Sequence, residues 1–141
     1  MKRGMVAVVF LLLLTSAASA DWWVRYHGTL SENWRAITGE TVRGSSEVDV
    51  LLCVDTAPWR ISIEAPLGNV LYAGQFDQEG RRLQFQAFNN VWSTLLGRGS
   101  FNANNTTLNL QGSGTWFPAG TRSWFGQSRF RGAFVDIIWR P

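Results

Sequence analysis

From Trp22 onward, apolar and polar positions alternate with a period of two almost to the end of the chain, and no stretch sustains a helical period. Val24, Tyr26, Gly28 and Leu30 alternate with Arg25, His27 and Thr29, and Trp34 to Val42 makes a weaker run. Val48, Val50, Leu52 and Val54 alternate with Glu47, Asp49 and Cys53, although Leu51 interrupts the polar face. After Ala57-Pro58, the residues Trp59, Ile61, Ile63 and Ala65 alternate with Arg60, Ser62 and Glu64. Pro66-Leu67-Gly68-Asn69 then reads as a turn.

The second half can be read in register. Val70 to Phe76 and Leu83 to Phe88 flank a loop, Asp77 to Arg82, and pairing Phe76 with Leu83 alternates large and small residues across the two strands. Asn104-Asn105 reads as a two-residue turn, since asparagine tolerates positive φ. That turn sets Phe101 opposite Leu108, Gly99 opposite Leu110 and Gly97 opposite Gly112. A longer loop, Phe117 to Ser123, predicts Trp116 opposite Trp124, Gly114 opposite Gly126 and Gln111 opposite Arg129. A bulge or bend is expected at Gly132-Ala133, inside the last strand.

Nine or ten short strands joined by turns predict an all-β fold, a small antiparallel meander closing as a β-barrel, with a β-sandwich as the alternative. The ends of the chain set the domain limits. Met1-Lys2-Arg3, the ten apolar residues Met5 to Leu14 and Ala18-Ser19-Ala20 have the parts of a signal peptide over residues 1–20. Residues 21–141 are then a single domain, secreted or periplasmic. The apolar run is half the length a spanning helix needs, and Asn109, Gln111, Ser113 and Thr115 would make one strand face polar, so membrane insertion is not expected. In size and strand rhythm alone, the chain is similar to small exported barrels of the lipocalin or avidin kind.

Charge changes the picture by its distribution. Without Lys2 and Arg3 the chain carries 11 arginines against 10 acids, a net of +1, which gives no case for a nucleic-acid partner. Residues 21–80 hold four arginines and nine acids, net −5; residues 81–141 hold seven arginines and Asp136, net +6. Such asymmetry marks either a partner surface or two halves that neutralise each other. Cys53 is the single cysteine, so no disulfide forms within the chain, and its apolar neighbours predict a buried thiol.

Candidate chemistry is sparse. His27 is the only histidine, which excludes relays and metal sites that use two imidazoles, and it reads as a solvent-facing strand residue. Glu47 and Asp49 read as a solvated edge. No catalytic residue, metal site or cofactor is expected, and the chain is read as non-enzymatic. Two constellations stand out. Gly97, Gly99, Gly112, Gly114, Gly126 and Ser128 form a floor of small residues framed by Trp116 and Trp124. That floor either holds a small apolar or sugar-like ligand or receives tryptophans such as Trp22, Trp34 or Trp59 from the opposite wall. On the other face, Arg98, Gln111 and Arg129 align, with Arg131 beside Asn109, in a pattern that could clasp a carboxylate or phosphate. The functional expectation is an exported binding protein with a ligand in a tryptophan-lined barrel. The alternative is a protein-interaction module, an inhibitor or envelope-assembly factor, that uses the arginine face.

Overall fold

The computed structural model describes residues 20–89, 93–116 and 123–140. The signal segment expected at 1–20 lies outside them apart from Ala20, as does the loop expected at Phe117 to Ser123 apart from Ser123.

Eight antiparallel strands follow one another around a closed sheet: β1 (Asp21–Ala36), β2 (Thr41–Cys53), β3 (Arg60–Glu64), β4 (Val70–Glu79), β5 (Arg82–Asn89), β6 (Ser93–Phe101), β7 (Thr107–Trp116) and β8 (Trp124–Arg140). Each strand pairs with its sequence neighbours, and β8 returns to pair with β1 from Asp21↔Arg140 to Ala36↔Trp124. One short 3-10 turn, Pro66–Gly68, joins β3 to β4. The all-β meander closing as a barrel is the fold.

Alternation builds the core. Tyr26 and Leu30 of β1, Val48, Val50 and Leu52 of β2, and Ile61 and Ile63 of β3 meet Tyr72, Phe76, Phe85, Leu95, Leu108 and Phe130 inside the barrel. Their period of two puts them all on the inner face of the sheet.

Among the described residues the strand count is eight rather than nine or ten. The weak run Trp34 to Val42 is the end of β1, a turn at 37–40 and the start of β2. The β4–β5 register also differs from expectation: Phe76 pairs with Phe85, and the strands continue to Glu79↔Arg82. Gly80, at φ 60°, permits a connection of only two residues where a six-residue loop was expected. The slip is by two residues, so every side chain keeps its face. From β6 to β8 the expected pairs Phe101↔Leu108, Gly97↔Gly112, Gln111↔Arg129 and Trp116↔Trp124 are all present. The turn after β6 is longer than two residues, because Asn102 Oδ1 accepts from the backbone N–H groups of Thr106 and Thr107, at 2.8 and 3.1 Å. The irregularity of β8 falls at Val135, between the pairs Tyr26↔Phe134 and Arg25↔Asp136, and not at Gly132-Ala133.

A second, smaller cluster lies outside the barrel wall. Trp23, Leu51 and Cys53 are buried there, with Ile138 against them. The guanidinium groups of Arg60 and Arg140 stack on the Trp23 ring, 4.9 and 5.0 Å from its centroid. Arg60 pairs with Asp21, and Arg140 reaches across to Glu64, with Nη1 donating to Oε1 at 3.0 Å. Ser62 donates to the other Glu64 oxygen at 2.6 Å. Burial pushes the Glu64 carboxyl up, but the bonds from Arg140 and Ser62 outweigh it and hold the group below the usual carboxylate range. Leu51, which breaks the polar alternation of its strand, belongs to this outer cluster.

Candidate functional site

The small-residue floor faces the interior as expected, and the space over it is occupied. A Cβ on Gly126 would run into the Trp34 indole (Cε2 at 2.9 Å), and one on Gly114 would press against Trp34 Cη2 at 3.3 Å. At Gly112 it would meet Leu95 Cδ1 at 2.8 Å, and at Gly97 it would meet Phe85 Cζ at 2.7 Å. Of the three tryptophans considered for this role, Trp34 fills it. Trp22 is exposed and stacks edge-on with Trp139, 4.9 Å between centroids, and Trp59 packs on Phe76 at 5.7 Å. Trp116 and Trp124 stand side by side at the end of the floor, 5.9 Å between centroids, with Trp124 buried and Trp116 partly open.

Open space begins where that floor ends. A cavity of about 350 Å³ at this end of the barrel is lined by Trp34, Val42, Tyr72, Asn89, Ser93 and Trp116. Glu32, two residues before Trp34 and on the same inner face of β1, is not itself in the lining but is bonded to two residues that are. Trp34 Nε1 donates to Glu32 Oε2 at 3.0 Å, and the Tyr72 hydroxyl donates to the same oxygen at 3.4 Å. Among the described residues, no cationic side chain pairs with Glu32. Burial first, and then the Glu32 charge, pushes the Tyr72 phenol up to about 12, so it remains a protonated donor at neutral pH. The Ser93 hydroxyl, beside Tyr72, is buried and makes no hydrogen bond of normal geometry. Aromatic faces, one oriented carboxylate and a spare hydroxyl are what a small polar ligand with an apolar face requires.

Sequence reasoning set Trp116 and Trp124 as the frame of the glycine floor; of the two, Trp116 lines this cavity, while Tyr72, Ser93 and the adjoining Glu32 were missed. Glu32 occupies an apolar position in the alternation of its strand, and a charged residue out of phase was the available signal.

The opposite end is also concave. Val24, Tyr26, Leu52, Val54, Phe101 and Phe134 line about 450 Å³, under a turn tethered by the Tyr26 hydroxyl donating to the Asn105 carbonyl at 2.9 Å. Its lining side chains carry no charge.

On the outer face, Gln84, Arg98, Gln111, Arg129 and Ser31 form one row across five strands. The parallel row runs Arg82, Ser100, Asn109, Arg131, Thr29 and Glu47. Two strand spacings separate Arg98 from Arg129, roughly 10 Å. An open groove of about 500 Å³ lies between them, floored by Gln111 and Ser113 and flanked by Gln84 and Gln127. Arg98, Arg129 and Arg131 are exposed and have no ion pair among the described residues. Charge complementarity between the halves is real but partial: Arg25–Asp136 at 2.6 Å and Arg140–Glu64 join them, and this row is left over.

His27 lies on the outer face between Glu47 and Asp49, at 3.0 and 2.8 Å, and is half exposed. Among the described residues, no group of three or more metal-ligating side chains is arranged to hold an ion. Among the described residues, no helix is long and apolar enough to cross a membrane. No family model matches the chain, and no curated protein matches it.

Proposed function

We propose that this chain is a non-enzymatic binding protein that takes a small, sugar-like ligand at the tryptophan-lined end of its barrel. The observation that carries the reading is the aromatic mouth of about 350 Å³, whose lining residues Trp34 and Tyr72 both donate to the Glu32 carboxylate behind them, a group without a cationic partner among the described residues. Trp116 offers an apolar ring face to the C–H side of a pyranose, while Glu32 accepts from its hydroxyls and Asn89 and Ser93 complete the polar set. The ligand sits at the mouth and not over the glycine floor, which Trp34 and its neighbours fill.

The test is a tryptophan-fluorescence titration with a panel of mono- and disaccharides. Quenching by at least one sugar is expected, weakened about tenfold or more in Glu32→Gln and in Trp116→Ala, and unchanged in an Arg98→Ser, Arg129→Ser double variant. Absence of quenching by every sugar would overturn the reading.

A second reading is supported by the unpaired arginine row: an acidic protein segment lying along the groove between Arg98 and Arg129. Its signature is the converse, with salt-sensitive binding of acidic peptides that the arginine variant loses and the Glu32 variant keeps.

A further inference from the structure

The barrel wall is incomplete along one strand. β3 is five residues long and pairs with β2 only from Asp49 to Cys53, whereas β2 starts at Thr41. Residues 41–48 of β2 therefore pair with β1 on one side, from Arg35↔Thr41 to Gly28↔Val48. Among the described residues, no strand takes the other side. The strand there presents a row of backbone N–H and C=O groups, a template for another strand.

Sheet edges are ordinarily blunted by proline, lysine, a bulge or a covering element. The segment Thr-Val-Arg-Gly-Ser-Ser-Glu-Val holds neither proline nor lysine, and its register with β1 is unbroken. Residues 41–47 are exposed throughout, and a Cβ on Gly44 would meet nothing within 4 Å. Around this edge lie exposed apolar side chains: Val42 on β2 itself, Leu67 in the turn that approaches β2, and Val70 at the start of β4.

We propose that this edge pairs with the same edge of a second copy, antiparallel about a two-fold axis through Ser45, so that the sheet continues from one barrel into the next. The sequence around that axis is complementary to itself. Arg43 falls opposite the partner's Glu47 and Glu47 opposite the partner's Arg43, while Val42 faces the partner's Val48 and Gly44 the partner's Ser46. Arg43 and Glu47 both point outward, because they share the parity of His27 and Asp49 across the β1–β2 register. Registers centred on Arg43 or on Glu47 would instead set like charges face to face, which cross-strand pairing disfavours. The three small residues at the centre leave the two backbones free to reach hydrogen-bonding distance. Glu47 already meets His27 and Thr29, yet its side chain is 58% exposed and has lone pairs to share.

The experiment is analytical ultracentrifugation of the full chain over a wide concentration range, with circular dichroism to confirm that each variant folds. The wild type is expected to show a concentration-dependent dimer. Arg43→Glu and Glu47→Arg should each weaken it about tenfold or more, since each turns two attractive cross-strand pairs into repulsive ones. Mixing the two variants restores opposite charges at both facing pairs, so a heterodimer should form although neither variant self-associates. A wild type that stays monomeric at every concentration would overturn the proposal. So would a dimer indifferent to both substitutions, or a mixture that fails to associate; a monomer is the result expected if another protein's strand occupies the edge.

Discussion

Where the start of β1, the end of β2 and β3 meet, the wall is buried on both faces, while the wall of β5, β6, β7 and the first half of β8 is buried on one. In the first wall, Ile61 and Val50 face the core, and Leu51, Cys53 and Trp23 are buried on the outside beneath Arg60 and Arg140. In the second, Leu95, Leu110 and Phe130 face the core, and the outside is a wet lattice of Gln84, Arg98, Gln111 and Arg129. The patch around Trp23 uses Arg60 and Arg140 internally, and the second wall leaves its arginines available. The two-sided patch around Trp23 is therefore read as structural, while the arginine face of the one-sided wall and the free edge of β2 are the surfaces left to meet partners.

The sharpest way to break this contrast is Trp23→Ala. It removes the ring on which both guanidinium groups rest and opens the outer cluster, so a loss of about 3–5 kcal/mol is expected in chemical denaturation. A loss below about 1 kcal/mol would mean that the outer cluster is ornament on a one-sided sheet.

Next in size is Gly126→Val, which asks whether the one-sided wall is as tightly packed inside as the other. With Trp34 against this position, overpacking should cost about 1–3 kcal/mol, and Gly114→Val should behave alike. Gly44→Val, facing open space, should be close to neutral by the same denaturation measurement. Equal midpoints for all three would show that the floor is empty and that a ligand could occupy it.

The smallest effect concerns pH. Because the folded-state pKa of Glu64 lies below its ordinary 4.5, the Arg140–Glu64–Ser62 contact contributes stability at neutral pH. That contribution is present above 4.5 and is lost as pH falls through the lowered folded value. Thermal melts of Glu64→Gln should consequently show a shallower decline than wild type below about pH 4.5. Identical acid limbs would place the origin of acid sensitivity elsewhere.

The same contrast explains how much was legible in the sequence. Alternation identifies a strand when one face is wet, and the β6–β8 registers followed from it residue by residue. It blurs where both faces are apolar. Leu51 looked like an error in the pattern because the cluster that buries it is assembled from β1, β2 and β8, and no local window contains all three. The β4–β5 hairpin was misread for another reason: Gly80 allows a tighter turn than the polar run Asp77 to Arg82 suggested, and polarity alone does not say where a strand stops. The candidate site was half legible. Trp116 and Trp124 stood out by their framing of the glycines, whereas Glu32 became significant only once Tyr72, forty residues away, was brought to its side.

The seam between β1 and β8 has a consequence for how the chain comes to be folded. Its sixteen pairs join residues more than a hundred positions apart at the Asp21↔Arg140 end, and the ring cannot close until the final strand has emerged and found the first. Until then β1 has only β2 beside it, and an open-edged intermediate is exposed to self-association. Linking Arg140 to Asp21 and opening the chain at the two-residue turn Gly80-Arg81 would make this seam a local hairpin. Refolding of such a circular permutant should be faster than that of the parent chain, with the finished barrel unchanged.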